Sequence, residues 1–163
     1  MQRDQARRHA ARRLLDAIKD GEEDPFEIGD DTTEWRSKEF HTVLYEDGRV
    51  IAHVGLTLAD VEIGEERFQV TGVGGVMVTR SRRGQGALRQ VFEAALARDL
   101  GPDRAMLFCL PKNVPLYERF GFIGIGAPVV AGGQDMGDDA MWKPLRDGAT
   151  WPDGPVNLPQ LPF

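Results

Sequence analysis

The stretch from Gly72 to Arg89 carries residue types that could bind an anion. It reads GVGGVMVTRSRRGQGALR, a strand-like run followed by a basic, glycine-containing loop and then a helical pattern. Such a loop places backbone N–H groups and the positive end of a helix dipole beside a bound group, which favours phosphate. Gly84 and Gly86 would let a ligand approach the backbone closely. Three arginines could pair with phosphate oxygens: Arg80, Arg82 and Arg83.

The spacing excludes two well-known nucleotide loops. No Gly-Lys-Ser/Thr sequence follows the strand, so the loop is not a Walker loop. Arg89 stands where the dinucleotide-binding fingerprint requires its third glycine. A plain turn with a solvated basic corner explains the same residues equally well. These residues alone therefore do not establish an anion-binding loop.

Composition indicates an ordinary soluble domain. The chain has 163 residues, of which 41% are hydrophobic and 28% charged, and we expect a single domain over residues 1–163. The net charge of −6 argues against nucleic-acid and anionic-membrane partners. One cysteine, Cys109, excludes an internal disulfide or a multi-cysteine zinc site, and no metal is expected. Because no transmembrane-length apolar run or signal peptide is evident, we expect a cytoplasmic protein.

The N-terminal segment is expected to be helical. An alanine- and leucine-containing face repeats at helical spacing over Met1–Asp20, opposite a row of arginines that we interpret as an exposed surface. An acidic connector, Glu22–Asp31, follows. Asp31-Thr-Thr-Glu34 has the form of a capping box, which predicts a short helix from Thr32 to about Phe40.

A three-stranded meander is expected to deliver the loop. The strands are Thr42–Glu46, Arg49–Ile63 and Glu66–Thr79, with a strong hairpin signal at Asp47-Gly48. The helix after the loop has one apolar face, typical of a helix lying on a sheet.

The rest of the chain is expected to complete the sheet. It comprises an internal strand, a short helix, two strands and a connector: Ala105–Leu110, Val114–Phe120, Phe122–Val130, Ala140–Leu145 and the Gly-rich Ala131–Asp139. A proline-rich tail, residues 146–163, is expected to lie extended against the domain.

Two motifs in this order resemble the GNAT N-acetyltransferase superfamily. Arg83-Gly84-Gln85-Gly86-Ala87-Leu88 looks like its acetyl-CoA pyrophosphate loop, Arg/Gln-x-x-Gly-x-Gly/Ala. Asn113-Val-Pro-Leu-Tyr117-Glu-Arg-Phe-Gly-Phe122 looks like its Leu-Tyr-x-x-x-Gly-Phe element. Within the superfamily, Glu34-Trp35 and the hairpin Tyr45–His53 look similar to the aminoglycoside 2'-N-acetyltransferases.

The resemblance implies an α+β fold, with a mixed, largely antiparallel sheet splayed in the middle and flanked by helices. It also implies acetyl-CoA as cofactor, with the pantetheine arm bonded to strand backbone and the pyrophosphate held by loop N–H groups. Residues at the matching positions are Val76, Met77 and Val78 for the arm, Arg83, Gly84, Gln85, Gly86, Ala87 and Leu88 for the pyrophosphate, and Asn113.

Tyr117 stands at the family's position for the general acid that protonates the leaving thiolate. A phenol has a reference pKa of about 10, so it holds its proton at neutral pH. The structural alternative is an aromatic side chain that packs against Phe120 and Phe122.

The general base is less clear, because Gly74 occupies the position where many family members carry a glutamate. His53 and Glu34 are candidate bases, although a structural histidine and a helix cap explain them as well. The resemblance to the aminoglycoside group adds Phe163, because the C-terminal end approaches the active site there. Leu88 also departs from the usual Gly or Ala, and the family's first strand is not evident, an edge that the tail could fill.

The sequence therefore predicts an N-acetyltransferase that transfers acetyl directly from acetyl-CoA to the amine of a small molecule, such as an aminoglycoside or a polyamine-like acceptor. Acidic residues near the expected acceptor side are consistent with such an amine: Asp30, Asp31, Glu34, Asp60 and Glu62. A catalytically degenerate acyl-CoA-binding or regulatory domain and a protein N-acetyltransferase are the alternatives. A homodimer is left open, because dimers are common in the family.

Overall fold

The computed structural model describes residues 33–137 and 140–163. The helix expected over Met1–Asp20 and the connector Glu22–Asp31 lie outside the described residues. The described chain forms two compact units. Unit one contains Glu39–Gly55 and Gly75–Arg98, and unit two contains Thr33–Lys38, Leu56–Gly74 and Asp99–Phe163.

Unit one is built on a hairpin and one helix. Strand β1 (Phe40–Glu46) turns at Asp47-Gly48 into β2 (Arg49–Ile63), whose first half belongs to this unit. The turn residues have φ of 49° and 74°, the left-handed pair that a two-residue hairpin requires. The hairpin predicted from Asp47-Gly48 is confirmed, with a longer first strand than expected.

Helix α1 (Ala87–Leu96) lies against β1 through its apolar face. Ala87, Val91, Phe92 and Ala95 are buried, which is the face predicted from i, i+3, i+4 spacing. Burying a side chain such as Phe92 stabilises the fold by about 2 kcal/mol. The helix ends at Leu96, and the Ala97 N–H donates to the Glu93 carbonyl at 2.9 Å in the last turn.

Unit two is organised around a mixed sheet. Besides β2, its strands are β3 (Glu66–Val78), β4 (Arg104–Phe108), β5 (Ile123–Gly124), β6 (Val129–Ala131), β7 (Gln134–Asp135), β8 (Ala140–Pro144) and β9 (Val156–Leu158). They lie in the order β5-β8-β4-β3-β2-β9-β6-β7. The β3–β4 and β6–β9 pairs are parallel, and the β4–β8, β5–β8, β6–β7 and β2–β9 pairs are antiparallel. This α+β architecture confirms the predicted fold class.

Strand β4 lies inside the sheet, as its continuous apolar run predicts. Met106 pairs with Gly72 of β3 on one side and with Trp142 of β8 on the other. The strand stops at Phe108, because a 3-10 turn with Pro111 in its first position follows Leu110. Helix α2 (Val114–Glu118) begins directly after this turn and is shorter than the predicted Val114–Phe120.

The short helix predicted from Thr32 to Phe40 is wrong over its described part. Residues 33–38, the crossing segment, form no helix, and Phe40 already begins β1. Their backbone groups bond to distant parts of the chain. The Arg36 N–H donates to the Pro162 carbonyl at 2.7 Å, and the Glu34 N–H donates to Gln134 Oε1 at 3.0 Å. Local capping-box spacing cannot anticipate partners so far along the sequence.

The single strand predicted over Phe122–Val130 is also wrong. Two short strands, β5 and β6, stand in its place and pair with different neighbours, β8 and β9. Pro128 between them has no N–H to give to a ladder, which favours the break. The glycine-rich connector expected at Ala131–Asp139 contains β7, where Gly132-Gly133 forms the turn with φ of 56° and 78°.

The C-terminal residues belong to the sheet of unit two. Strand β9 lies between β2 and β6, with Asn157 opposite Glu62 and beside Val130. The Asn157 amide also donates to the Glu62 carboxylate at 3.0 Å. Phe163 is buried, and its ring packs on Phe108 with 5.2 Å between ring centroids. The single-domain assignment of residues 1–163 stays a prediction.

We expect Gly72→Ala to destabilise the protein by about 1–3 kcal/mol, since it overpacks a filled core. A Cβ at Gly72 would lie 2.5–2.6 Å from three atoms of the Phe163 ring. Urea unfolding would measure the loss. Gly124→Ala is the matched control, because a Cβ there meets nothing within 4 Å.

A double-mutant cycle assigns the cause. In a Phe163→Ala background, Gly72→Ala should cost much less than in the wild type, because the colliding ring is gone. An equal loss in both backgrounds would contradict this explanation.

Candidate functional site

The predicted anion loop connects β3 to α1 within unit one. A 3-10 turn, Arg80–Arg82, follows the strand, and Gly86 is the N-cap of the helix with a left-handed φ of 85°. The Gly86 carbonyl accepts the Gln90 N–H at 3.1 Å, which starts the helix. No side chain caps the first turn, so its leading N–H groups are the donors that an anion would meet.

Side chains of the loop hold its backbone in place. The Gln85 amide donates to the Ser81 carbonyl at 3.0 Å, across the loop. The Arg83 Nε–H donates to the carbonyl of Val78, the last residue of β3, at 3.2 Å. These bonds shape the loop before any ligand binds, and so lower the entropy cost of ordering it around one.

The arginines of this loop differ in how exposed each residue is to a ligand. Arg82 donates two bonds to the Glu46 carboxylate of β1, one of them from Nε at 2.6 Å. Both donors share the single carboxylate oxygen Oε2, and this ion pair holds the guanidinium on the hairpin. Arg80 and Arg83 are exposed in the loop. The Arg82 guanidinium, predicted to bind phosphate, therefore already pairs with a carboxylate inside the unit.

The strand end before the loop carries the backbone groups assigned to the pantetheine arm. Val76, Met77 and Val78 are half-buried at the end of β3. The next residue, Thr79, donates its N–H to the Ile51 carbonyl of β2 at 2.8 Å. Gly75 before them has a φ of 56°, a conformation that costs other residues free energy. The strand is therefore irregular where the resemblance predicts cofactor contacts.

The candidate base His53 is buried in unit one, with 1% of its surface exposed. Its Nδ1 lies 2.6 Å from the Gly75 carbonyl oxygen, and its Nε2 lies 2.9 Å from Nδ1 of His41 on β1. Both ring nitrogens are therefore engaged within the unit. This geometry favours a structural or positioning role, while the base role stays a prediction.

Tyr117, the candidate acid, lies in unit two near the end of α2. Its ring is buried and packs edge-on against Phe122, with 6.3 Å between ring centroids. Burial, and secondarily the charge of Cys109, raises the pKa of Tyr117 to about 12. The phenol is therefore protonated throughout the physiological range. Packing on Phe122 and proton donation are compatible.

Asn113 also lies in unit two, at the junction between the 3-10 turn and α2, where it is half-buried. Cys109 is half-buried just after β4. The structure thus places the strand end and loop in unit one, and Asn113 and Tyr117 in unit two.

Lys38 is a functional candidate that the sequence pattern missed. A Cβ on Gly74 would lie 2.7 Å from the Lys38 Cε and 2.9 Å from the backbone carbonyl carbon of Phe163. The side chain of Lys38 therefore occupies the space beside Gly74, where many family members carry a glutamate. Its Nζ donates to the Arg36 carbonyl at 3.2 Å. Only the fold of the crossing segment brings it there.

The chemistry of Lys38 is changed by this position. Burial, and secondarily the positive charge of Arg36, lowers the pKa of Lys38 to about 8. Arg36 itself donates to the Leu58 carbonyl of β2 at 2.6 Å, which holds its charge near Lys38. A lysine with such a pKa is partly neutral near neutral pH, so its Nζ can accept a proton.

Glu34, the second candidate base, is fixed through its backbone. Its N–H donates to Gln134 Oε1 and its carbonyl accepts the Gln134 amide at 3.1 Å. The carboxylate side chain belongs to an exposed residue. It caps no helix over the described residues, so the explanation by a capping box is wrong, and its role as base stays a prediction.

Acidic residues expected at the acceptor side have partners within unit two. Gln160 and Gln69 donate to the Asp60 carboxylate at 2.7 and 3.1 Å. Glu62 accepts from Asn157 and lies 3.7 Å from the Arg67 guanidinium. Asp30 and Asp31 lie outside the described residues. Asp60 and Glu62 therefore help to hold strands together.

The sequence predicts neither a metal site nor a membrane-spanning helix, and the structure bears on both for its described residues. No group of three or more metal-binding side chains occurs among residues 33–137 and 140–163. Over the same part of the chain, the helices are too short or too polar to cross a lipid bilayer.

Comparison with known proteins supplies the family. A family model described as the acetyltransferase (GNAT) domain matches residues 4–124, more than half of the 163-residue chain. No protein of curated function matches the sequence significantly.

Solved structures with the same fold come from several bacteria. The GNAT-family N-acetyltransferase YhbS of Escherichia coli, solved in complex with CoA, is 26% identical with a TM-score of 0.51, over 71% of this chain and 64% of that one. A putative N-acetyltransferase from Lactobacillus plantarum is 23% identical with a TM-score of 0.57, over 86% and 92%. Eis1 from Mycobacterium abscessus is 18% identical with a TM-score of 0.54, over 74% and 30%.

The match is partial for some of these proteins. The chain spans 64% of the Escherichia coli protein, 22% of a Kribbella flavida GCN5-related N-acetyltransferase and 62% of a Brucella melitensis GNAT acetyltransferase. None of these comparisons identifies the aminoglycoside 2'-N-acetyltransferase subgroup. With the mixed sheet, the two described helices and the loop between β3 and α1, the match to the domain model shows that this chain belongs to the GNAT acetyltransferase family.

Proposed function

We propose that this protein is an N-acetyltransferase that uses acetyl-CoA to acetylate the amine of a small molecule. One observation carries the proposal: α1 begins at a left-handed glycine with no side-chain cap, behind a loop that its own side chains hold in shape. Such a helix start is suited to a pyrophosphate. The CoA complex of the similar Escherichia coli protein supports the same cofactor class.

In this proposal the cofactor is bound mostly by backbone groups. Val76, Met77 and Val78 bond the pantetheine arm, and loop N–H groups from Arg83 to Leu88 hold the pyrophosphate. Asn113 is the remaining residue that the resemblance assigns to the cofactor. Acetyl-CoA supplies the thioester whose acetyl group is transferred.

Tyr117 is proposed as the general acid. Its task is to give the phenolic proton to the thiolate sulfur as the C–S bond breaks. The high pKa of Tyr117 keeps the proton in place until a strongly basic sulfur forms beside it.

Lys38 is proposed as the general base. An acceptor amine arrives as an ammonium ion, and its nitrogen can form the new C–N bond only after losing a proton. The neutral Lys38 amine takes that proton, and its pKa of about 8 is close to the working pH that a base requires. His53 and Glu34 remain the rival bases.

The acceptor is proposed to be a small amine, with aminoglycosides and polyamine-like molecules as the first classes to test. Trp35 offers a partly exposed indole in the crossing segment, packed edge-on against Phe108 with 6.1 Å between ring centroids. Aromatic faces of this kind attract organic cations. Turnover on small amines would separate this proposal from a protein N-acetyltransferase and from a degenerate acyl-CoA-binding domain. The cytoplasm is the expected setting, and the oligomeric state, monomer or homodimer, is left open.

The loop assignment predicts micromolar CoA binding that an Arg83→Ala, Gly84→Asp double variant abolishes. The aspartate brings negative charge to a residue whose φ is 74°, and the alanine removes the guanidinium that bonds the Val78 carbonyl. Calorimetry with CoA measures both. Arg89→Ala is the control. Arg89 forms an exposed ion pair with Glu93 along the helix, so the variant should bind CoA as the wild type does. Absence of binding by the wild type would overturn the proposed function.

The proton-transfer roles predict different pH behaviour for two variants. Tyr117→Phe should lower kcat by about 10²–10⁴-fold without moving the acid limb of the pH–rate profile. Lys38→Arg should lower kcat by a similar factor and remove an acid limb near pH 8, because a guanidinium stays charged. Initial rates with a small-amine panel measure both. Glu34→Gln and His53→Asn are the comparisons, and loss of the limb in Glu34→Gln alone would exclude Lys38 as base.

Titration of Lys38 can be measured without turnover. Its folded pKa of about 8 lies below the ordinary lysine value of 10.5, so between these two pH values the unfolded chain binds a proton that the folded chain does not. Stability from this group therefore rises as pH increases from about 8 to 10.5. Lys38→Met should be more stable than wild type at pH 7, and the difference should shrink through that window. A constant difference in urea unfolding across the window would refute the depressed pKa.

A further inference from the structure

A two-histidine chain in unit one ends on the peptide that precedes the proposed pantetheine-binding residues. His41 on β1 contacts His53 on β2, and His53 contacts the carbonyl of Gly75 on β3. The rings lie 5.2 Å apart at an interplanar angle of 42°. Three strands are thus linked by side-chain bonds at one level.

The bonding pattern fixes the positions of the protons. A carbonyl oxygen only accepts, so His53 must carry its hydrogen on Nδ1 to bond Gly75. In the neutral ring, Nε2 is then an acceptor, and His41 must donate from its own Nδ1. The tautomer of His53 is therefore set by His41 on one side and by Gly75 on the other.

His53 gives the Gly75 carbonyl a fixed donor. Gly75 has a φ of 56° inside a strand, which turns the peptide out of a regular ladder. Gly75 itself is exposed, so water would satisfy its carbonyl oxygen without fixing the direction of that oxygen. His53 is 1% exposed and lies 2.6 Å away, so its buried ring holds the oxygen in one direction.

Holding this carbonyl also orients the next N–H group. The peptide between Gly75 and Val76 is planar and trans, as are all described peptide bonds, so its C=O and N–H point in opposite directions. The bond from His53 directs the oxygen toward β2, and the Val76 N–H then points away from β2. A hydrogen bond accepted by the carbonyl also polarises the amide and strengthens its N–H as a donor.

We propose that His53, held in its tautomer by His41, is a positioning residue of the cofactor site: it orients the Gly75–Val76 peptide so that the Val76 N–H can bond the acyl-pantetheine end of acetyl-CoA. This rests on the proposed function above. His53 then acts through the backbone and exchanges no proton with the substrate, unlike the base role expected from sequence.

His41 has its own anchor in unit one. Arg98, which follows α1, donates to the His41 carbonyl at 3.5 Å, and its guanidinium lies 5.3 Å from the centroid of the Phe40 ring. Contacts therefore run from Arg98, just after α1, through His41 and His53 to Gly75 near the end of β3.

Two isosteric variants test the proposal. In His53→Asn the amide nitrogen takes the place of Nδ1 and keeps the bond to Gly75. In His53→Gln the amide reaches the place of Nε2, keeps the contact with His41 and loses the bond to Gly75. Both bury one amide and remove one ring, so their general cost to stability is matched.

We expect His53→Gln to weaken CoA binding at least about tenfold and His53→Asn to stay within about threefold of wild type, the size of one lost hydrogen bond. Calorimetry measures the CoA affinity at a temperature well below the thermal midpoint of each variant. The backbone amide resonance of Val76, recorded without CoA, should shift in His53→Gln and return toward wild type in His53→Asn.

The outcomes distinguish failure of the proposed function from failure of the positioning role. Wild type that fails to bind CoA overturns the proposed function, and this inference with it. Wild type that binds while both variants weaken equally, in proportion to their loss of stability, overturns the positioning role alone. An unchanged Val76 resonance in His53→Gln overturns it also, whatever the affinity.

Discussion

Small residues in β3 are the constraint on which the rest of the structure depends. Gly72 leaves room for the Phe163 ring, and Gly74 leaves room for the Lys38 side chain. Gly75 adopts a left-handed φ of 56° and turns its carbonyl to His53. A larger side chain at either of the first two positions would collide with a buried neighbour, and a non-glycine residue at the third would be strained. One strand thus receives contacts from three distant parts of the chain.

Long-range bonds to backbone groups are the second recurring device. The crossing segment forms no helix, yet Arg36 and Glu34 find partners in Pro162 and Gln134. These bonds place Lys38 beside Gly74, and the neighbouring charge of Arg36 together with burial lowers the Lys38 pKa. A residue with no motif around it becomes a candidate for chemistry because of where an irregular segment is held.

Charges around the proposed sites are used structurally as much as for binding. Arg82 pairs with Glu46, and Asp60 and Glu62 accept bonds from side-chain amides. An acidic net charge therefore gives little information about the acceptor, because Asp60 and Glu62, two of the acids that suggested a cationic substrate, already have partners within the fold. Specificity for an amine is better sought at the Trp35 indole and at Lys38 than in net charge.

The sequence by itself determined what local spacing encodes: the Asp47-Gly48 hairpin, the apolar face of α1, the internal strand β4 and the glycine loop before the helix. Those features depend on backbone geometry and on residues a few positions apart, so their physics is contained in a short window. Only the tertiary structure decided the rest. The crossing segment, the split of the strand predicted over Phe122–Val130, the engagement of both His53 nitrogens and the depressed pKa of Lys38 all depend on partners far away in the chain, because burial and hydrogen bonding are set by the whole fold.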